Sequence, residues 1–282
     1  MGQAAAKRDG SSMRSVASQR RQEYTAGMVG AEPSRAQPSA CDVTLVIPTF
    51  HEIEFAAALD RLLAYLSANA LGRTEILIVD DSSDEERSAL GAMIAARRVA
   101  NAAVEIELVA GPRRGKGAAV RLAALQAHGD IVFVIDADLL VPLHHLRAFA
   151  DEIRRGADIV VGERPRDRYR HSALRQFVSR ALYLIQVIFV FHQARFTDTQ
   201  CGFKAFRNDV LKELARIQLV DGGIYDLEYL YAATLANKNI RQMDVCPEPE
   251  VRPSRINVWR CMRVDSLDIL RFKLRGIAGR YR

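Results

Sequence analysis

Two carboxylates one residue apart close the apolar run "IVFVIDADLL", residues 131–140: Ile131–Ile135 reads as a buried strand, and Asp136 and Asp138 follow it. At the two-residue period of a strand, side chains at i and i+2 point the same way. The pair can therefore converge on one site beyond the sheet edge. Two like charges held that close repel unless a cation lies between them. Oxygen-only ligation, without His or Cys, favours Mg2+ or Mn2+. The bland alternative is a pair of turn or cap aspartates ahead of a helix begun by Pro142. The position of the pair after a strand raises the metal reading above it.

Other polar clusters carry weaker signals. In "VDDSS", residues 79–83, a carboxylate could accept hydrogen bonds from a nucleobase N–H or a ribose hydroxyl, or could close an Asx turn with a helix cap. "GPRRGKGAA" is one residue short of a Walker A spacing, and Gly117 replaces the required Ser or Thr. It also lacks G-x-G-x-x-G, so neither a P-loop nor a dinucleotide fingerprint is expected. A basic, Gly-hinged entry to a helix still suits a diphosphate, through the helix dipole and the cations together. His144 and His145 are adjacent, so they splay apart and do not offer the i, i+4 pair of a zinc helix; with His128 they read as surface helix residues. Cys41, Cys201, Cys246 and Cys261 are scattered without a C-x-x-C, which points to reduced thiols and not to a disulfide framework.

The elements that must position these residues alternate. Val43–Ile47 is a short strand stopped by Pro48, and "EFAAALDRLLAYLSANA" follows with Leu59, Leu62, Leu63 and Leu66 at helical spacing. Ile76–Val79 is a second strand, and Ser83 or Asp84 caps a helix running to about Val99. "VEIELV", "IVFVID" and "DIVVG" supply three more strands, separated by the helices "GKGAAVRLAALQAH" and "PLHHLRAFADEIRR". Strand and helix alternating at this spacing predict an α/β fold, a mostly parallel Rossmann-like sheet flanked by helices. Ligands on such sheets gather at the carboxyl ends of the strands. "PTFHE", "DDSS", "GPRRGKG" and "DAD" all fall at such ends.

After Gly162 the pattern changes to an Arg-rich connection and a mostly apolar helical segment from Leu174 to about Phe191. Then come "DTQCGFKAF", read as a loop, a helix near Asn208–Ile217, a helix containing "YDLEYLYAATLA" and a strand "IRQMDV". Residues 1–40 lack apolar periodicity and read as a disordered tail; residues 41–250 form the main domain; residues 251–282 form a basic amphipathic segment packed on the domain or on a membrane.

In order, "VIPTFHE", "ILIVDDSS", "RRGKGAAVRLA" and "IVFVIDADL" resemble a family 2 glycosyltransferase of GT-A fold. The second half, "VSRALYLI…FTDTQCGFKAFR…GGIYDLEYLYAA", is similar to the polyprenyl-phosphate sugar transferases, the D-T-Q-C-G-F-K run being nearest the glucosyl branch. The resemblance covers roughly residues 43–275. It implies an inverting transfer of a hexose from a nucleotide-diphosphate sugar to a polyprenyl phosphate of dolichyl type. By the same resemblance Pro48, Glu52 and Asp81 would hold the nucleoside, with Lys116 near it and Asp136 on the donor. Asp136 and Asp138 would hold the divalent cation. Arg164, Arg175 and Ser179 match polar positions that receive the acceptor phosphate or donor diphosphate, and Gln200 falls on the acceptor side. Asp226, Arg164 and Arg175 are the candidate catalytic residues. His51 stands where Asn is usual, and Leu140 where Gln often assists the metal.

Residue types agree with that chemistry. A leaving diphosphate needs charge stabilisation, which a divalent cation supplies. A phosphate acceptor is already anionic, so a strong base is not obligatory, and arginines grip it bidentately. The net charge of +6 fits an anionic substrate or a membrane surface. No apolar run reaches the length of a membrane span and no signal-peptide core is seen, so a cytoplasmic protein, peripheral on the cytoplasmic membrane face, is expected. Nucleic acid is not expected as a partner, because no aromatic residues interleave the basic ones. A soluble or glycan acceptor, or a non-catalytic nucleotide-binding scaffold of the same fold, are the alternatives.

Overall fold

β-Branched and leucine-rich runs form the centre of a seven-stranded sheet ordered β3-β2-β1-β4-β6-β5-β7. Its strands are β1 (Val43–Thr49), β2 (Thr74–Asp80), β3 (Val104–Ala110), β4 (Ile131–Ile135), β5 (Ile159–Glu163), β6 (Phe203–Arg207) and β7 (Ile240–Asp244). Its helices are α1 (Phe55–Ala68), α2 (Asp84–Ala100), α3 (Lys116–Gln126), α4 (His145–Arg154), α5 (Asn208–Ile217), α6 (Tyr225–Leu235) and α7 (Val258–Ile277). The computed structural model describes residues 42–52, 55–100, 104–164, 190, 196, 198–246 and 258–281. The expected tail over 1–40, the segment expected to be helical from Leu174, and the site candidates Arg175 and Ser179 lie outside the described residues.

β1, β2, β3 and β4 run parallel, with β1 joined to β2 on one side and to β4 on the other. The chain moves outward through β2 and β3, then α3 returns it across β1 to β4. This reversal is a topological switch point between β1 and β4, where the two crossovers leave opposite faces and open a crevice. The parallel ladder between β1 and β4 ends at Val46↔Val134. Pro48 lies beyond it, where a residue without an N–H is tolerated.

One expectation needs correction. "DTQCGFKAF" is not wholly a loop: Phe203–Arg207 forms β6, inserted between β4 and β5 and antiparallel to both. Lys204 interrupts the apolar pattern that marks the other strands. Its side chain is nonetheless buried, at 3% exposure, because it is paired. An antiparallel strand begins at the edge where its parallel neighbours end. The residues ahead of β6 therefore join the carboxyl-end loops.

Each face of the sheet has its own core. Leu45, Ile47, Ile76, Ile78, Phe133 and Phe203 face α1, α2 and α4. Val46, Leu77, Val79, Val132, Val134 and Phe206 face α3, α5, α6 and α7. α3 buries mainly small side chains, among them Gly117, Ala118, Ala119 and Ala123, and so lies close to its neighbours. A Cβ at Gly117 would meet the Tyr225 Cβ and the Val220 carbonyl at 2.7 Å, so only glycine allows this approach of α3 to the entry of α6. α7 lies against α6, with the Tyr231 and Phe272 rings 5.5 Å apart. Beyond α7, Tyr281 donates its hydroxyl to the buried Glu228 of α6. Leu219 and Val220 donate backbone N–H groups to the same carboxylate. His128 is a correction of detail: it follows α3 and its imidazole contacts the Glu75 carboxylate at 2.9 Å.

Candidate active site

The carboxyl ends of β1 and β2 are tied by Asp80, which is 2% exposed. Its carboxylate accepts from the Thr49 hydroxyl at 2.8 Å and from the Ser82 N–H and hydroxyl at 3.1 and 3.0 Å. Ser82 Oγ in turn accepts the His51 N–H at 2.9 Å. His51 has a φ of 52°, a left-handed conformation that Asn, Asp and His adopt more readily than other side chains. Ser83 and Glu86 form a capping box at the start of α2: Glu86 donates its N–H to the Ser83 hydroxyl at 3.3 Å, and Ser83 returns its N–H to the Glu86 carboxylate at 3.0 Å. Hydrogen bonds from Ser83, then from His51, hold the Glu86 carboxyl down at about 2. Of the two acidic-turn residues, Asp80 is therefore structural.

Asp81 faces the loop after β3. One of its oxygens accepts the Arg113 N–H at 2.9 Å and the other the Gly115 N–H at 3.2 Å. A carboxylate has about four acceptor positions, so this leaves capacity for a ligand. The same loop delivers Lys116 to the first turn of α3. There the Lys116 ammonium bonds the Asp136 carboxylate directly. Burial opposes the charge on Lys116. Asp136, with Asp226 and Asp138 behind it, more than offsets that and raises its pKa.

Asp136 shares the sheet face of Val132 and Val134, by strand parity, and so turns toward α3 and α6. Its N–H donates to the Gly202 carbonyl at 2.9 Å. A Cβ at Gly202 would lie 1.7 Å from Asp136 Oδ2, so the residue before β6 must be glycine for Asp136 to sit there. Asp138 lies further out and accepts the Leu140 N–H at 3.3 Å. Partial burial, then the charge of Asp136, with Glu52 adding to it, push the Asp138 carboxyl up to about 6. Leu139, directly after Asp138, takes a φ of 48°, a strained conformation of the kind that collects at functional sites.

The second half of the chain reaches the same edge. Lys204, from β6, donates to Asp226 at 3.0 Å and to the Cys201 carbonyl at 2.6 Å. Asp226 is 6% exposed in the first turn of α6. Arg164, just past β5, makes a bidentate pair with Asp198 at 2.6 and 3.0 Å. Gln200 is exposed two residues on and donates its N–H to Asp198 at 3.1 Å. Thus Pro48, Glu52, Asp81, Lys116, Asp136, Asp138, Arg164, Gln200 and Asp226 all lie at one edge of the sheet. Lys204, Asp198 and Gly202 were not singled out from the sequence. A partial signal for Lys204 was present: it lies between the apolar Phe203 and Ala205 and two residues before Phe206, so in a buried strand it is a cation needing a buried anion.

This arrangement fits a divalent cation. Asp136 and Asp138 supply oxygen donors only, and their mutual repulsion with Glu52 is what a cation would relieve. Among the described residues no group of three or more His, Cys, Asp or Glu side chains is arranged around one point. Ligand oxygens or water must complete such a shell, as is usual for Mg2+ shared with a phosphate. That also removes any need for a side-chain ligand at Leu140.

Comparison with known proteins agrees with the geometry. The family described as Glycosyl transferase family 2 matches residues 44–215. A dolichyl-phosphate beta-glucosyltransferase of Trichomonas vaginalis is 26% identical over 266 residues, covering 88% of this chain and 75% of the relative. The dolichyl-phosphate beta-glucosyltransferase of Homo sapiens is 23% identical over 263 residues, covering 85% and 77%. Among solved structures, glucosyl-3-phosphoglycerate synthase from Mycobacterium tuberculosis, in complex with Mn2+, uridine diphosphate and glucosyl-3-phosphoglycerate, superposes with a TM-score of 0.59. It is 16% identical and 86% of each chain is covered. With a GT-A sheet, an aspartate pair at its switch point and a family match spanning more than half its length, the chain belongs to glycosyltransferase family 2.

Proposed function

We propose that the protein transfers a hexose, with glucose the first to test, from a nucleotide-diphosphate sugar to a polyprenyl phosphate at the cytoplasmic face of a membrane. The observation that carries this reading is the crowded pair Asp136 and Asp138 at the β1–β4 crevice, with Lys116 against it. The names and coverage of the similar glucosyltransferases support the acceptor class.

Asp81 accepts a donor from the nucleoside with the oxygen capacity left beside Arg113 and Gly115, and Pro48 and Glu52 border it at the ends of the crevice. Asp136 and Asp138 would hold Mg2+ or Mn2+, which would supply charge stabilisation for the leaving diphosphate. Lys116 adds a second positive charge at the start of α3, where the helix dipole also favours phosphate. Arg164, Arg175, Ser179 and Gln200 receive the acceptor phosphate. One of its oxygens bonds to the anomeric carbon as the carbon–oxygen bond to the diphosphate breaks on the opposite face, inverting the centre. The acceptor oxygen is already anionic, so no proton need be removed. Asp226, neutralised by Lys204, orders the acceptor side and keeps its charge close to Lys116.

The test is incubation with labelled nucleotide sugars, Mg2+ or Mn2+, and polyprenyl phosphate in detergent. Metal-dependent label in the organic phase is expected. No lipid-linked sugar from any common donor, beside an active control, refutes the proposal; label that stays in a water-soluble product refutes the lipid acceptor.

A further inference from the structure

The connection between α5 and α6, residues 218–224, is held by a carboxylate that no step of the proposed reaction uses. Glu228, 1% exposed on α6, accepts the Leu219 N–H with its two oxygens at 2.8 and 3.0 Å and the Val220 N–H at 2.8 Å. The Gln218 amide donates to the Val220 carbonyl at 2.6 Å and accepts the Tyr229 hydroxyl at 2.6 Å. α7 completes the anchor. It buries Ile269 and Phe272, leaves Leu267 and Leu274 exposed, and is followed by Tyr281, whose hydroxyl donates to Glu228. A buried carboxylate is costly unless its lone pairs are filled; here backbone N–H groups and a hydroxyl fill them.

The far end of the same connection grips the start of α3. The Asp221 and Gly222 carbonyls accept the Ala118 and Gly117 N–H groups, each at 3.2 Å. Asp221 also pairs with Arg114. The approach is tight: a Cβ at Gly115 would lie 2.7 Å from the Asp221 carbonyl oxygen, and one at Gly117 would lie 2.9 Å from that of Gly222. Lys116 lies between these two glycines. Asp81 fixes the residues before it, through the Arg113 and Gly115 N–H groups, and the Asp221 and Gly222 carbonyls fix those after it. The Lys116 ammonium therefore reaches Asp136 from a backbone held on both sides. Because the Gly117 and Ala118 N–H groups are occupied, a phosphate at this helix start meets the ammonium in place of those donors.

We infer that Glu228, with Tyr281 behind it, is a positioning residue for Lys116. It fixes the 219–222 segment, which fixes the first turn of α3 and the ammonium carried there. Glu228 acts through the backbone and not on the reacting atoms. The consequence for sugar transfer rests on the proposed function; the link between Glu228 and α3 does not.

Amide hydrogen exchange of the full chain reads that link without substrate. Glu228→Gln keeps the size of the side chain and replaces one acceptor oxygen by a donor. Exchange at Gly117 and Ala118 should quicken about tenfold in this variant, and by less in Tyr281→Phe. Phe149→Leu, a core substitution in α4 on the other face of the sheet, should leave both amides unchanged. No quickening in either variant, or equal quickening in Phe149→Leu, overturns the inference. If Glu228→Gln does not fold, Tyr281→Phe decides alone. In transfer assays, Glu228→Gln should lower kcat/KM about tenfold on wild type and less than about twofold on Lys116→Met, since an absent ammonium cannot be misplaced. Equal losses on both backgrounds overturn the role of Lys116. If wild type transfers no sugar, the proposed activity fails while the exchange result still decides the positioning.

Discussion

Lys204 and Asp226 form a buried ion pair 3.0 Å apart beside the candidate site, each less than a tenth exposed. Such a pair adds little net stability, but breaking it strands a charge. Lys204→Met should therefore cost about 3–5 kcal/mol by denaturant unfolding, and the double variant Lys204→Met/Asp226→Leu should recover much of that loss. An additive double variant would show that the two charges are not coupled. Asp138 obeys the opposite logic, since its neighbours disfavour its charge. Asp138→Asn should stabilise the metal-free fold at pH 7 and abolish both the thermal shift with Mn2+ and sugar transfer. A variant that keeps the Mn2+ shift removes Asp138 from the metal site. His51 takes a left-handed φ, a conformation that His and Asn both adopt more readily than most side chains.

β6 is the element that makes one site of two halves of the chain. Because it runs antiparallel between β4 and β5, the residues before it arrive beside Asp136. Gly202→Ala would drive a methyl group into the Asp136 carboxylate. Displacing that carboxylate by an ångström should lower transfer by about 100-fold, measured as kcat/KM under saturating metal, with the melting temperature changed far less. Unaltered kinetics would mean that Asp136 need not sit where it does. α7 is joined to this unit through Tyr281 and Glu228. Tyr281→Phe leaves a buried carboxylate short of one donor and should cost about 1–3 kcal/mol, read from chemical denaturation.

Over the whole molecule, the raised carboxyls set a pH dependence. Asp138 is pushed to about 6 from an ordinary value near 4, so the metal-free folded state binds a proton more tightly than the unfolded chain between those values. Stability of the metal-free protein should therefore fall as pH rises through that window. Asp265, also at about 6 through partial burial and then Asp268 and Asp226, adds the same sign. Protons and cation compete at Asp138, so the thermal shift given by Mn2+ should shrink as pH falls below about 6, and the comparison with Asp138→Asn isolates its share. A Mn2+ shift independent of pH from 5 to 7 would contradict the assignment. No helix among the described residues is long and apolar enough to cross a membrane. The alternation of apolar strands with amphipathic helices, and the placing of every polar cluster at a strand end, were legible in the sequence because they depend on local periodicity. So were the DAD pair and the order of the motifs that carry the family resemblance. β6 was not legible, because a lysine within a strand is acceptable only once a distant aspartate is brought against it. The roles of Asp80, Asp198 and Gly202, and the split of α7 into a packed side and an open one, were likewise settled only by tertiary contacts. Pairing, close approach and burial are relations between residues far apart in the chain, and no local pattern contains them.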